Sequence, residues 1–205
     1  MTEDLTPLRS ALEAISPLTD ESWAPVERFV ARRQVRTGEQ LLRAGTRASL
    51  VFFVRRGLLR EFYVDAAGDA ATRRFCTEGE LSGSLADLLS GGAAMVTIEA
   101  LEPTEIWQVP WAEVDALTRV WHVWLLLARR FAEGLYLRKA KREFEMLTLT
   151  AAERYARFCR DEPALEARLP RHLVASYLGI TPVHLSRLRR GGSSRPRAAP
   201  RRRKC

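Results

Sequence analysis

Residues 171–190, RHLVASYLGITPVHLSRLRR, leave little freedom to the chain that contains them. Val174, Tyr177 and Leu178 recur at helical spacing, and Ala175 is small enough for a second helix to cross closely. Gly179 stands where the first helix must end and can take the left-handed conformation of a helix C-terminus. Ile180 plugs the turn. Thr181 offers a side-chain oxygen to cap a second helix, and Pro182 falls at its first position, where a missing N–H costs nothing. Leu185 and Leu188 bury that helix. The spacing predicts a helix-turn-helix.

The same stretch contains no Asp or Glu. Residues 171–205 hold ten Lys and Arg and no acid, so of the formal charge of +8 the first 170 residues carry −2. A cationic end on a nearly neutral body points to a polyanion, either nucleic acid or an anionic membrane. The Trp- and Phe-rich basic helix that a membrane surface prefers is missing, which leaves double-stranded DNA as the expected partner. The second helix would enter the major groove, where carboxylates would face phosphates. Arg187, opposite Leu185 and Leu188, is expected to reach a guanine edge, with a phosphate contact as the alternative. Thr181 and His184 suit phosphate, and Val183 can offer an apolar contact. Arg171, Ser186 and Arg190 complete the expected DNA-binding set.

The remaining chain changes texture twice. Residues 5–15 and 20–30 read as short amphipathic helices, with Asp20 able to cap the second. From about Gly38, glycines at 57, 68 and 79 separate β-rich runs such as LVFFV, LLREFYV and TRRFC, and DAAGD marks a hairpin. Short strands at this regular spacing predict an antiparallel roll ending near Val109. From Trp111 to Phe144 there is no Pro and one Gly, and the pattern becomes helical. Val120, Trp124, Leu127 and Phe131 form an apolar stripe, which either packs on the helix's own domain or pairs with a copy of itself; pairing is the expectation. TAAE at 150–153 reads as a capping box. The chain is therefore expected to be α+β. An antiparallel β-roll would occupy residues 1–115, a long dimerisation helix 116–147 and a helix-turn-helix domain 148–190. A basic tail, 191–205, has no apolar residues for a β-wing and is expected to be disordered and to track phosphates.

Several function classes lose support. The three cysteines, at 76, 159 and 205, show no metal-ligand spacing, so reduced thiols, no metal and no cofactor are expected. No Ser/His/Asp arrangement, P-loop lysine or paired carboxylate has a convincing context, so the chain is not expected to be an enzyme. MTEDLTPLRS lacks the apolar core of a signal peptide, and VWHVWLLLA is too short to span a bilayer. A cytoplasmic protein with no membrane partner is expected.

A roll, a long helix and a C-terminal helix-turn-helix, in that order, resemble the Crp/Fnr family of bacterial transcription regulators. LLRAGTRASLVFFVRRGLLREFYVDAAGDAATRRFCTEGEL is similar to the family's roll, and LPRHLVASYLGITPVHLSRLRR to its DNA-binding motif. The resemblance implies a homodimer joined along the long helix and a sensory pocket in a cyclic-nucleotide-binding-like roll. In this chain that pocket would comprise Gly79, Glu80, Ser82, Gly83, Ser84, Ala94 and Met95. Two departures matter. Ser84 stands where nucleotide-binding members carry the Glu that holds the ribose, and Ala94 where they carry the Arg that pairs with the phosphate. No Arg or Lys occurs between Cys76 and Leu117. A buried phosphate with no cation is costly, so cyclic AMP binding is not expected. The iron-sulfur branch needs four cysteine ligands and does not fit either. The expected function is a DNA-binding regulator with a degenerate effector pocket; the alternative is a sensor whose roll takes a different small molecule to control DNA binding.

Overall fold

The structure, a computed structural model, describes residues 4–191. The chain divides into two units, Met1–Leu147 and Thr148–Cys205.

The first unit carries two antiparallel four-stranded sheets. Strands β1 (Ala31–Val35), β8 (Thr104–Pro110), β3 (Leu50–Arg56) and β6 (Leu81–Ser82) form one, in the order β1-β8-β3-β6. Strands β2 (Gln40–Leu42), β7 (Thr97–Ala100), β4 (Leu59–Val64) and β5 (Ala70–Cys76) form the other, in the order β2-β7-β4-β5. Alternation along the strands divides the apolar residues between two cores. Phe52, Val54 and Ile106 join Leu59, Cys76 and Ile98 in one core. Phe53 and Trp107, one residue on, stack at 5.5 Å in the other.

That second core includes Leu8 and Leu12 of α1 (Thr6–Glu13) and Trp23 of α2 (Asp20–Trp23). Thr19, not Asp20, caps α2: its side chain accepts from the Ser22 N–H at 3.2 Å while Ser22 Oγ accepts from the Thr19 N–H. Beyond Trp23 the expected helix breaks off, and residues 26–28 form a 3-10 turn.

Gly57 makes the turn by which the chain passes from β3 in one sheet to β4 in the other, with φ +111°. A Cβ there would meet Thr104 Oγ1 at 2.5 Å and Thr104 Cα at 2.7 Å, and that hydroxyl already accepts from the Leu58 N–H. Gly57→Ala is therefore expected to cost at least about 1 kcal/mol from the backbone conformation, with the clash added. Chemical denaturation should show the lowered midpoint.

Helix α3 (Leu85–Ser90) interrupts the strands, and α4 (Trp111–Val120) follows them. The long helix α5 runs over His122–Thr148. Trp121 separates α4 from α5 in an extended conformation, φ −116° and ψ 116°, and its side chain packs against the second core. The pull of that aromatic into the core breaks a helix that neither Pro nor Gly interrupts. Val120 thus ends α4, 74% exposed, and does not continue the stripe of α5.

The stripe itself faces inward. Trp124 and Leu127 are 3% and 5% exposed within one chain. Trp124 Nε1 donates to the Ser22 carbonyl at 2.9 Å, and Arg130 reaches Ser16 Oγ at 3.1 Å. The N-terminal helices therefore claim the surface that the sequence reading assigned to a partner. The exposed large apolar side chains of α5 are Leu125, Tyr136, Leu137, Phe144, Met146 and Leu147.

The second unit comprises α6 (Ala151–Asp161), α7 (Pro163–Arg168), α8 (Arg171–Leu178) and α9 (Pro182–Gly191). Its buried residues include Phe158, Leu165, Leu173, Val174, Ala175, Leu178 and Leu185. Residues 192–205, on which the expected disordered tail falls, lie outside the described residues.

Candidate nucleic-acid interface and effector pocket

The interface begins with how α9 is held. Gly179 adopts φ +68°, ending α8, and the Ile180 N–H reaches back to the Ala175 carbonyl at 3.0 Å. Thr181 Oγ1 accepts from the His184 N–H at 3.2 Å, starting α9 as an N-cap. Arg154 of α6 donates to the Leu178 carbonyl at 3.2 Å and so satisfies the end of α8. The capping box at Thr150 and Glu153 fixes the start of α6, and the Thr150 backbone N–H first, then its hydroxyl, holds the Glu153 carboxyl below the usual range.

Leu185 is fully buried against α8, and Leu188 is half-buried. Val183, Arg187 and Arg190, at i, i+4 and i+7, share the face opposite Leu185 and are exposed. Among the described residues, no hydrogen bond or ion pair engages Arg187 or Arg190. His184, Thr181 and Arg171 are also exposed, and Ser186 is half-buried. Arg189 differs: its guanidinium pairs with Glu166 of α7 at 3.1 Å, and the Tyr155 hydroxyl donates to the same carboxylate oxygen at 3.3 Å. Burial first, then a bond to Cys159, raises the Tyr155 pKa, so the phenol stays protonated. Arg154, Tyr155 and Glu166 were missed by the sequence reading, because no local spacing links them to α9.

In the first unit, the seven expected pocket residues do not converge on one vacant anion site. Glu80, in the turn before β6, accepts from Arg74 Nη2 at 2.8 Å and from the Thr77 N–H at 2.8 Å. Gly79, beside it, donates its N–H to the Val54 carbonyl. The Ser82 hydroxyl donates to Glu61 Oε1 at 2.9 Å. Ser84 follows Gly83 and donates to the carboxylate of Asp87, which also accepts the Met95 N–H at 3.1 Å. Asp87 is 2% exposed. Ala94 is buried, and both its backbone groups are bonded, N–H to the Thr46 carbonyl and carbonyl to the Gly45 N–H, each at 2.7 Å. The Met95 side chain points to solvent. The segment thus carries a buried carboxylate, Asp87 of α3, bonded to Ser84 and to the Met95 N–H. No local spacing marks Asp87, because its partners Ser84 and the Met95 N–H meet it only in the fold.

Below that loop Glu61 is buried, with Oε2 3.7 Å from Arg73 Nη1 and no hydrogen-bond partner among the described residues. Cys76 Sγ lies 3.4 Å from Glu61 Oε1. Burial first, and the Glu61 charge second, push the Cys76 thiol well up, which keeps it neutral. Among the described residues no group of His, Cys, Asp and Glu could hold a metal, and no helix is long and apolar enough to cross a membrane.

Residues 32–119 match the model of the cyclic nucleotide-binding domain. The transcriptional activator protein FnrA of Stutzerimonas stutzeri is 33% identical over 174 residues, covering 76% of this chain and 68% of the relative. This chain belongs to the Crp/Fnr family of transcription regulators. A second Crp/Fnr relative, the transcriptional activator protein anr of Pseudomonas aeruginosa, is 30% identical over 190 residues, 83% of this chain and 74% of the relative. The solved structure of FixK2 from Bradyrhizobium japonicum shares the Crp/Fnr fold, with a TM-score of 0.65 at 21% identity over 78% of this chain and 83% of that one. As a Crp/Fnr member the chain is a transcription regulator, not an enzyme.

Proposed function

We propose that the chain regulates transcription as a cytoplasmic homodimer that binds double-stranded DNA through α9, without a cyclic nucleotide as effector. One observation carries the DNA reading: α9 presents Val183, Arg187 and Arg190 on the face opposite buried Leu185, with no acid in α8 or α9. In this reading Arg187 contacts a base edge, Val183 an apolar base surface, and Arg171, Thr181, His184, Ser186 and Arg190 the backbone. The exposed apolar side chains Leu125, Tyr136, Leu137 and Phe144 of α5 support pairing of that helix with a second copy. Buried Asp87 and the replacements at Ser84 and Ala94 support a roll closed to nucleotides.

Selection of bound sites from random DNA tests the reading. The recovered sites should be inverted repeats with half-sites about 34 Å apart on one face of the duplex. Sites without two-fold symmetry, or no sequence preference at all, would overturn it. Calorimetry tests the effector statement separately. Neither cyclic AMP nor cyclic GMP should give a binding isotherm, and a micromolar dissociation constant, about −8 kcal/mol, would refute the assignment.

A further inference from the structure

A cavity of about 120 Å³ lies in the first unit beside the inward face of α5. Val51 of β3 and Val109 of β8 floor it, Leu12 of α1 borders it, and Trp124, Leu127 and Phe131 of α5 form its side. Of the seven residues expected to form an effector pocket, only Ser82 and Gly83 line it. The walls are apolar apart from Ser82, whose hydroxyl is spent on Glu61, and two arginines, Arg73 and Arg74. The carboxylates beside those arginines, Glu61 and Glu80, do not line the cavity.

The two arginines differ in what they have left to donate. Arg74 is bonded to Glu80 Oε1 at 2.8 Å and to the Leu81 carbonyl at 3.1 Å. The Arg73 guanidinium lies over the Tyr63 ring, 6.0 Å from its centroid, and makes no hydrogen bond among the described residues. Its nearest carboxylate oxygen, Glu61 Oε2, is 3.7 Å away, too far for one, and its side chain is only 20% exposed. A guanidinium has five N–H donors, and leaving them unmade in a largely dehydrated place is costly. An anion presented from the cavity would satisfy them with charge-assisted bonds. The rest of the wall can accept only an apolar group.

We propose that this cavity binds a small apolar monocarboxylate, its carboxylate on Arg73 and its body against Leu12, Leu127 and Phe131. The volume fixes the bulk. An apolar cavity of about 150 Å³ accommodates benzene, so this one takes a body of about six carbons. The inference deepens the regulatory reading and rests on it for its meaning: the ligand would touch one face of α5 while the exposed apolar face serves the dimer.

The test uses the full chain without DNA, so that failure here leaves the DNA-site result standing, and failure of the DNA reading leaves this one standing. Hexanoate, hexan-1-ol and hexylamine are titrated by calorimetry and by tryptophan fluorescence, since Trp111 and Trp124 line the cavity. Hexanoate should bind saturably at one site per chain, at least tenfold tighter than hexanol, and hexylamine should not bind. Arg73→Gln should weaken hexanoate at least tenfold and bring it level with hexanol. Because Arg73→Gln also removes the cation near buried Glu61, Ala128→Leu serves as the second variant. It fills the cavity, touches no charge, and should abolish binding while circular dichroism is unchanged. No saturable binding of hexanoate, equal binding of hexanol, or full binding by Ala128→Leu would overturn the proposal.

Discussion

Trp124→Ala is expected to lower the stability of the first unit by about 3–5 kcal/mol and to leave the chain's association intact. The indole is buried among Leu8, Leu12, Trp23 and Trp107, so its removal empties the centre of the second core. The substitution also leaves the Ser22 carbonyl without its 2.9 Å donor. Urea denaturation followed by fluorescence and circular dichroism measures the first effect. Light scattering on the folded variant, at tens of micromolar, measures the second. A variant with unchanged urea midpoint that dissociates would return Trp124 to the dimer interface.

For Arg187→Ala the effect falls on DNA alone. It should cost roughly 1–3 kcal/mol on the selected site and relax preference at one base pair per half-site. Arg187 is exposed and engages no partner among the described residues, so folding should not change. Arg190→Ala, on the same face, should weaken matched and mismatched sites alike. Affinities on matched and single-base-changed duplexes separate the two cases. A uniform loss across all sequences for Arg187→Ala would make it a phosphate contact.

The helix-turn-helix was legible because its determinants are local. A glycine at positive φ, a threonine cap and buried leucines all act within a few residues, and each can be read without knowing the neighbours. The roll was legible for a similar reason, since strand runs and turn residues alternate along the chain. The face of α5 was not. Trp124, Leu127 and Phe131 have the periodicity of a buried stripe, but periodicity says only that something covers them. What covers Trp124 and Leu127 is a pair of helices about a hundred residues earlier, and Trp121 shifts the helix start so that Val120 leaves the pattern. The effector loop was half legible. The missing cations are visible in the sequence, whereas the role of Asp87 depends on Ser84 and Met95 meeting it in space. Arg73 carried no signal at all, because an arginine in a strand reads as an outward residue until its surroundings are known.

The pairing of Glu166 with Arg189 has a consequence for how grip and discrimination are apportioned. Within α9, one of three arginines is paired with an acid of the same unit, so in the proposed reading Arg187 and Arg190 are the two left for DNA. Each cation that neutralises a phosphate adds about 0.9 to the salt slope, so α9 itself can supply little of the ionic hold. Six further cations follow residue 191 in the sequence. In the proposed complex, tightness would come mainly from charges that read nothing, and choice of site from a helix whose orientation is held by an acid of α7.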